Sequence, residues 1–381
     1  MISVTLPIYL DYNATTPCDP RVFEAMRPYF MEIFGNAASS SHFFGWQAKT
    51  AVEDSRRMIA ETIGAFPDEI VFTSGATEAD NLAVKGAAEA GKSLGKHIIT
   101  TATEHKAVLD SCKHLHSSGF ELSVLPVDSS GFISPAEIAA AIRPDTILVT
   151  IMHGNNEIGT VQDIAEIGRI CREYGVPFHT DSTQTAGKIP FEVSKLNVDM
   201  ASLTAHKLYG PKGVGALYVR KGCQILSQMD GGGHESGMRS GTLNVPGIVG
   251  FAKAMEISRT DMQRDIAHCR ALRDKLWLGI QTLGAEVRLN GPNPLVHPEK
   301  RLPGNLNVSF YGDAGELIAG NLNDVAVSAG SACTSASGGF SHVLTALGLT
   351  GDNLTSLRFG VGRFSTEEEI DYTLECMRSA L

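Results

Sequence analysis

Three polar side chains of types that could do chemistry, Asp181, Gln184 and Lys207, follow apolar runs that are typical of β-strands. The run "VPFHTD" ends in Asp181, and the run "DMASLTA" leads through Thr204 and His206 to Lys207. Taken singly, Asp181 could cap the following helix and Lys207 could be a solvated charge. Together they are the groups that hold pyridoxal phosphate, with lysine as the Schiff base and aspartate as the partner of the pyridinium nitrogen.

A possible seat for the phosphate lies in "VFTSGATEADNLAVKGAA", where an apolar run meets Ser74, Gly75, Ala76 and Thr77 and a helical pattern begins. Backbone amides, a hydroxyl and the helix dipole at such a junction attract anions. An ordinary capped helix start, with Glu78 in its first turn, would have the same sequence. The two interpretations stay open on this stretch alone.

A single cysteine, Cys333, lies in "SAGSACTSASGGF", residues 328 to 340, among small residues and with no second cysteine nearby. It could be a spare thiol on a surface turn or a nucleophile. The glycine-rich stretch "GGGHESGMRSGT" could likewise bring backbone close to a ligand or to a neighbouring subunit. Each stretch by itself leaves both of its interpretations open.

Two motif matches are rejected. The stretch "GAAEAGKS", residues 86 to 93, fits the P-loop formula, but a P-loop follows a strand and opens a helix, whereas here a helical pattern precedes and a strand follows. The stretch "TEHKAVLDSCKHLH" is rich in histidine but lacks the second ligand pair of a zinc site. From it we retain only His105, at the start of a helix after the strand "HIITTA".

The elements that would position these residues alternate between helix and strand from about residue 20 to 260. The strand predictions are "EIVFTS", "HIITTA", "TILVTIM", "VPFHTD", "DMASLTA" and "VGALYVR", and helices such as "WQAKTAVEDSRRMIAETIG" end at a glycine. This order predicts an α/β fold with a mostly parallel sheet, whose ligands bind at the carboxyl ends of the strands.

The remaining third of the chain predicts a second domain. A long helix, or two joined helices, spans about residues 248 to 284, and a turn-rich segment, the strand "NLNVSF" and a final capped helix beginning near Ser365 or Thr366 follow. A length of 381 residues also favours two domains over one.

Composition excludes several classes of protein. A net charge of −10 argues against a general nucleic-acid or membrane-surface binder, and no apolar run approaches the length of a membrane span. The amino-terminal residues lack the features of a signal peptide, and the seven cysteines form no disulfide framework. We therefore expect a cytoplasmic protein.

In its motifs, the chain closely resembles the pyridoxal-phosphate-dependent cysteine desulfurases of the IscS/NifS type, in the class V aminotransferase family. The similarity runs almost end to end, through "YLDYNATTP", "SGATEADNLAVKGAA", "TEHKAVLDSC", "GNNEIGTVQDI", "SLTAHKLYGPKGVGALYVR", "GGGHESGMRSGT", "SAGSACTSAS" and "LRFGVGRFSTEEEID". The resemblance implies the aminotransferase-like fold (fold type I), with a mostly parallel seven-stranded sheet in a large domain, residues 16–260. A smaller α+β domain would comprise residues 1–15 and 261–381.

The resemblance also implies roles for individual residues. Lys207 would bind the cofactor and move protons at the substrate α-carbon, and Cys333 would attack the substrate sulfur. His105 would stack on the cofactor ring, Asp181 would pair with its ring nitrogen, and Gln184 would contact its phenolic oxygen. The phosphate would be bound by Ala76, Thr77, Thr204 and His206, with Ala205 in the same cofactor site and Thr242 arriving from the other subunit. Asn156 and Arg358 would bind the substrate carboxylate.

The implied activity is conversion of L-cysteine to L-alanine by a homodimer, with sulfur passed as a Cys333 persulfide to an acceptor or iron–sulfur scaffold protein. No resident metal is expected; Cys333 would at most ligate an iron–sulfur cluster transiently. The alternatives are a selenocysteine lyase, an ordinary aminotransferase, which would have no use for Cys333, and a non-catalytic sulfur-transfer platform, which would not need both Lys207 and Cys333.

Overall fold

The computed structural model describes residues 4–329, 341–351 and 353–381. Helices and strands alternate through the first two thirds of the chain, as predicted. The strands are β1 (Ile8–Tyr9), β2 (Ile70–Thr73), β3 (His97–Thr101), β4 (Glu121–Leu125), β5 (Thr146–Thr150), β6 (Phe178–Asp181), β7 (Met200–Thr204), β8 (Gly215–Val219), β9 (Val287–Leu289), β10 (Asn305–Tyr311), β11 (Val325–Ala326), β12 (Ser328–Ala329) and β13 (Leu354–Gly360).

The helices follow the apolar periodicity and stop signals of the sequence. Gly64 and Gly175 end two of them in the left-handed conformation, and the side chains of Thr366 and Glu369 form a capping box at the start of the last. The helices are α1 (Pro20–Met26), α2 (Pro28–Met31), α3 (Phe43–Ile63), α4 (Ala76–Gly91), α5 (Lys106–Ser117), α6 (Pro135–Ala141), α7 (Ile164–Tyr174), α8 (Val193–Leu196), α9 (Val245–Ile280), α10 (Asp313–Asn321), α11 (His342–Ala346) and α12 (Glu367–Ala380).

The large sheet has seven strands in the order β2-β8-β7-β6-β5-β3-β4, and all are parallel except β8, which runs antiparallel to both of its neighbours. The carboxyl ends of β3, β5, β6 and β7 therefore lie along one edge. This confirms the predicted fold class and places the residues that follow those strands at a common edge.

A second, antiparallel sheet has the order β12-β13-β10-β9, and β1 pairs with β11 beside it. Its core includes Ile8, Leu306 and Met377, separate from the cores on the two faces of the large sheet. Helix α9 contributes its first part to one core and its last part to the other. The division into residues 16–260 and 1–15 with 261–381 stays a prediction, which the separate cores support.

The structure bears on the P-loop match and on the long helix of residues 248 to 284. Residues 86 to 91 of the P-loop match lie inside α4, so they form no loop after a strand. The long helix is one helix, α9. In the part of the chain that the structure describes, no helix is both long and apolar enough to cross a bilayer.

Candidate active site

A cavity of about 550 Å³ opens at the carboxyl edge of the large sheet and reaches the antiparallel sheet. Elements far apart in sequence bring their polar residues to it because their strands end at the same edge. Ten of the residues singled out from the sequence line this cavity: Ala76, Thr77, His105, Asn156, Asp181, Gln184, Thr204, His206, Lys207 and Arg358.

Lys207 ends a short 3₁₀ turn, Ala205–Lys207, directly after β7. Its Nζ donates hydrogen bonds to the carbonyl oxygens of Asn13 at 2.6 Å and Ala14 at 2.5 Å. Burial, with the positive charge of Lys188 adding to it, lowers the pKa of Lys207 to about 7. Because a neutral amine is the nucleophilic form, Lys207 is able to attack an aldehyde near neutral pH.

Asp181 is the last residue of β6, and its side chain is buried at the cavity wall. Its Oδ1 accepts a hydrogen bond from the Thr183 amide at 2.9 Å, which fixes the carboxylate at the strand end. The alternative of a helix cap is wrong, because a turn and not a helix follows Asp181, and the next helix begins only at Val193. The Thr183 amide uses one of the two carboxylate oxygens, so the other is available to a ligand. A carboxylate here suits a protonated ring nitrogen.

His105 caps α5, and its Nδ1 accepts a hydrogen bond from the Ala107 amide at 3.2 Å. Burial lowers the pKa of His105 below its ordinary value, against the opposing effect of Asp181. The ring is therefore neutral at pH 7 and lines the cavity as a flat surface. A neutral aromatic ring at this place is suited to stacking on a pyridine ring.

The start of α4 has the properties of an anion site. Its N-cap, Gly75, has a φ of 153° that other residues rarely adopt, and no side chain caps the helix. The first amides of this 16-residue helix therefore point toward the cavity without a side-chain acceptor. The nearby acid Glu78 is neutralised by Arg239 at 2.7 Å, so its charge does not oppose an anion.

Thr204 and His206 line the same cavity as the start of α4. His206 Nδ1 lies 3.1 Å from the Thr15 hydroxyl, and burial lowers the pKa of His206 to about 4. Lys212 also lines the cavity here and adds a positive charge. Amides, hydroxyls, a ring nitrogen and a lysine form a donor set that fits a phosphate.

Gln184 is held by hydrogen bonds at both ends of its amide. Its Nε2 donates to the carbonyl oxygen of Asn13 at 2.9 Å, and its Oε1 accepts from Lys188 Nζ at 3.0 Å. The Asn13 carbonyl thus accepts from both Gln184 and Lys207. Neither Asn13 nor Lys188 was identified from the sequence, although "YLDYNATTP" includes Asn13.

Arg358 projects from β13 into the cavity from the antiparallel sheet and is almost completely buried. Its Nη2 donates to Asp11 Oδ1 at 2.7 Å and to the Ser328 hydroxyl at 2.9 Å, and its Nη1 donates to the carbonyl oxygen of Asn156 at 3.2 Å. Its Nε has no partner among the described residues. The guanidinium is therefore rigidly oriented beside the cavity and suited to a carboxylate.

Two of the residues singled out from the sequence, Ala205 and Thr242, do not line the cavity. Ala205 is buried behind it, with its amide bonded to the Val214 carbonyl, and Thr242 is exposed outside it. Cys333 lies outside the described residues. On either side of that segment, Ser328 bonds to Arg358 and Ser341 to Glu157, and both Arg358 and Glu157 line the cavity.

The residues present thus fit pyridoxal phosphate, part by part. Lys207 fits its aldehyde, Asp181 its ring nitrogen, His105 its ring face and the start of α4 its phosphate. Asp181 and the uncapped start of α4 have hydrogen-bonding capacity left over, and a bound cofactor would use it.

Comparison with known proteins agrees with this geometry. The family model "Aminotransferase class-V" matches residues 8–373. The chain is 56% identical over 372 residues to the cysteine desulfurase IscS of Anaeromyxobacter dehalogenans (strain 2CP-C), covering 97% of this chain and 91% of the relative. It is 55% identical over 382 residues to the cysteine desulfurase IscS of Klebsiella pneumoniae (strain 342), covering 99% and 93%.

Solved structures are similar over almost the whole chain. A NifS-like protein superposes with a TM-score of 0.89 at 40% identity, covering 98% of both chains. The protein SspA, solved in complex with cysteine, superposes with a TM-score of 0.81 at 37% identity, covering 94% of this chain and 100% of that one.

Proposed function

Because the chain belongs to the class V aminotransferase family, and within it to the cysteine desulfurases of the IscS/NifS type, we propose that its site converts L-cysteine to L-alanine and retains the sulfur as a persulfide on Cys333. The family is pyridoxal-phosphate-dependent. The observation that carries the proposal is the convergence of Lys207, Asp181 and Arg358 on one cavity.

When bound here, pyridoxal phosphate supplies a sink for the electrons released as the substrate loses its α-proton. Asp181 holds the proton on the ring nitrogen, which that sink requires. Lys207, whose pKa of about 7 suits proton transfer at neutral pH, removes and returns the proton at the α-carbon. Arg358 and Asn156 hold the substrate carboxylate, which orients the α-carbon toward Lys207.

Sulfur transfer then depends on Cys333. Its thiolate attacks Sγ of the substrate, so that a sulfur–sulfur bond forms and the Cβ–Sγ bond breaks. The electron pair of the broken bond stays with the carbon skeleton, which takes up a proton and leaves as alanine. A site rich in cations and backbone amides favours the thiolate form of a cysteine. Incubation of purified protein with L-cysteine and a reducing thiol tests this function, because alanine and sulfide should appear in equal amounts.

Replacement of Arg358 by lysine should raise KM for L-cysteine far more than it lowers kcat. Lysine keeps the charge but lacks the planar fork, so kcat/KM should fall about 10- to 100-fold. Steady-state kinetics measure both constants. Arg363→Lys is the matched control, since Arg363 is a buried arginine paired with Asp19 and Asp265 outside the cavity. Equal KM changes in the two variants would contradict the assignment.

A homodimer with sites completed by the partner is part of the same proposal. Thr242 is exposed, and the chain also exposes the aromatic residues Phe34, Phe43, Phe44 and Trp46. The rings of Phe34 and Phe44 stack with their centroids 5.5 Å apart. A cluster of exposed rings of this kind is typical of an interaction surface.

Thr242→Glu should therefore reduce the cofactor content of the purified protein strongly, whereas Thr242→Ser should not, because a carboxylate repels the phosphate. The amount of bound pyridoxal phosphate measures the cofactor content, and the mass from sedimentation measures the oligomeric state. Full cofactor content in Thr242→Glu, or a monomeric mass, would contradict a shared site. Mixed dimers of Thr242→Glu and Lys207→Ala chains should regain activity, since one of their two sites has neither change.

We propose that the protein works in the cytoplasm and passes its sulfur to an acceptor or an iron–sulfur scaffold protein. The six cysteines among the described residues are free thiols, which fits a reducing compartment. The relatives named IscS support a role in iron–sulfur cluster assembly.

A further inference from the structure

Asp80 is a buried acid that the mechanism above does not use. It lies near the start of α4, and its side chain has no exposure to solvent. Neither of its carboxyl oxygens has a well-formed hydrogen bond among the described residues, although the Ser202 hydroxyl is near enough to favour the ionised form. An ionised carboxylate in such a place would be strongly disfavoured, so the side chain needs either a proton or a positive neighbour.

Among the residues that the structure describes, no charged lysine or arginine pairs with Asp80. The closest ring nitrogen, His179 Nε2, lies 3.8 Å from Asp80 Oδ1, and burial lowers the pKa of His179 to about 4, so this ring is neutral. The His179 nitrogens are also engaged, by the hydroxyls of Thr150 at 2.8 Å and Ser202 at 3.0 Å. His179 therefore cannot neutralise Asp80.

The charged groups that face Asp80 are acids. A carboxylate oxygen of Asp181 and a ring nitrogen of His105 come within 4.8 Å of an Asp80 oxygen, and Glu104 is buried close by. Burial first, and then the charge of Asp181, raise the pKa of Asp80 well above its ordinary value. Of two carboxyls this close together, one keeps its proton.

Asp181 is the acceptor of the pair, because it faces the cavity and its Oδ1 already accepts a hydrogen bond from the Thr183 amide, whereas Asp80 does not line the cavity and accepts no backbone amide. A protonated carboxyl is a hydrogen-bond donor. We propose that Asp80 acts as a neutral carboxylic acid that donates its proton in a hydrogen bond to the Asp181 carboxylate and so positions it against the ring nitrogen of the cofactor. This inference rests on the proposed function, since it takes pyridoxal phosphate as the occupant.

The hydrogen bond has a chemical consequence. A donor on Asp181 stabilises its carboxylate form and makes it a weaker base, so the shared proton stays on the ring nitrogen. Asp80 is therefore a positioning residue that acts through Asp181. An amide at position 80 offers an N–H donor of nearly the same shape, whereas leucine offers none.

Two variants and two spectroscopic readouts test the proposal. In the cofactor-free protein at neutral pH, the infrared spectrum should contain a protonated-carboxyl band that is lost in Asp80→Asn, with Glu104→Gln separating the band of the other buried acid. In the loaded protein, the nitrogen chemical shift of isotope-labelled pyridoxal phosphate should indicate a protonated ring nitrogen in the wild type and in Asp80→Asn. In Asp80→Leu it should move toward the unprotonated value, with turnover at least 10-fold below that of Asp80→Asn.

The outcomes separate this inference from the proposed function. Three results would overturn the role of Asp80. They are the absence of the Asp80 infrared band, a stoichiometric metal bound to the purified protein, and an unchanged nitrogen chemical shift in a folded Asp80→Leu protein. The proposed role would also be overturned if Asp80→Asn behaved like Asp80→Leu, because a neutral hydrogen-bond donor at position 80 would then not be what the site requires. The infrared measurement needs no cofactor, so it tests Asp80 even if the protein fails to desulfurate cysteine.

Discussion

Lys207→Ala should abolish the turnover of L-cysteine, with a loss of roughly 10³-fold or more, because one side chain both attaches the cofactor and moves the substrate proton. The variant should still bind pyridoxal phosphate, since the anion site, Asp181 and His105 are unchanged. Treatment with borohydride should fix the cofactor covalently to the wild type but not to Lys207→Ala. Mass spectrometry of the intact protein measures this difference.

Lys195→Ala is the control for this variant, because Lys195 is an exposed lysine of α8 that pairs with Glu192, the N-cap residue of that helix. It should keep both activity and covalent attachment. Covalent attachment in Lys207→Ala would show that another lysine forms the link. Lys188 would be the next candidate, since it is half-buried, lies close enough to act on Lys207 and has its pKa lowered to about 8.

Cys333→Ser should keep the bound cofactor and its absorbance but lose desulfuration by roughly 10³-fold or more, as expected when a catalytic nucleophile is removed. The serine hydroxyl has almost the same size but cannot accept sulfur. Alanine formation and persulfide are the two quantities to measure. Cys18→Ser is the matched control, because Cys18 is an exposed free thiol away from the cavity. Normal alanine production by Cys333→Ser would mean that the nucleophile lies elsewhere.

The sheet could be predicted because its strands are short apolar runs that end at polar residues. The edge strand β4 was not predicted, since its residues "ELSVL" are partly exposed and its pattern does not alternate clearly. Helix α3 begins at Phe43, three residues before the predicted start at Trp46, because the His42 ring caps it through the Gly45 amide. Histidine is not among the residues that usually mark a helix start.

The residues of the candidate site that lie at strand ends could be predicted from the sequence. Lys207 and Asp181 follow apolar runs, so the geometry of a parallel sheet brings them together. The carbonyls of Asn13 and Ala14 could not be predicted, because a backbone acceptor leaves no mark on residue type. Asp80 resembles an ordinary acid of a helix surface; only its place between the apolar residues Ala79 and Leu82 indicates the buried face.

The central claim is that this protein takes sulfur from L-cysteine onto Cys333. A single-turnover reaction with L-cysteine labelled with heavy sulfur, without added thiol, tests it most directly, followed by mass spectrometry of the peptide that contains Cys333. We predict one labelled sulfur on Cys333 and one alanine per active site. Alanine without label on Cys333, or label only on another cysteine, would contradict the account.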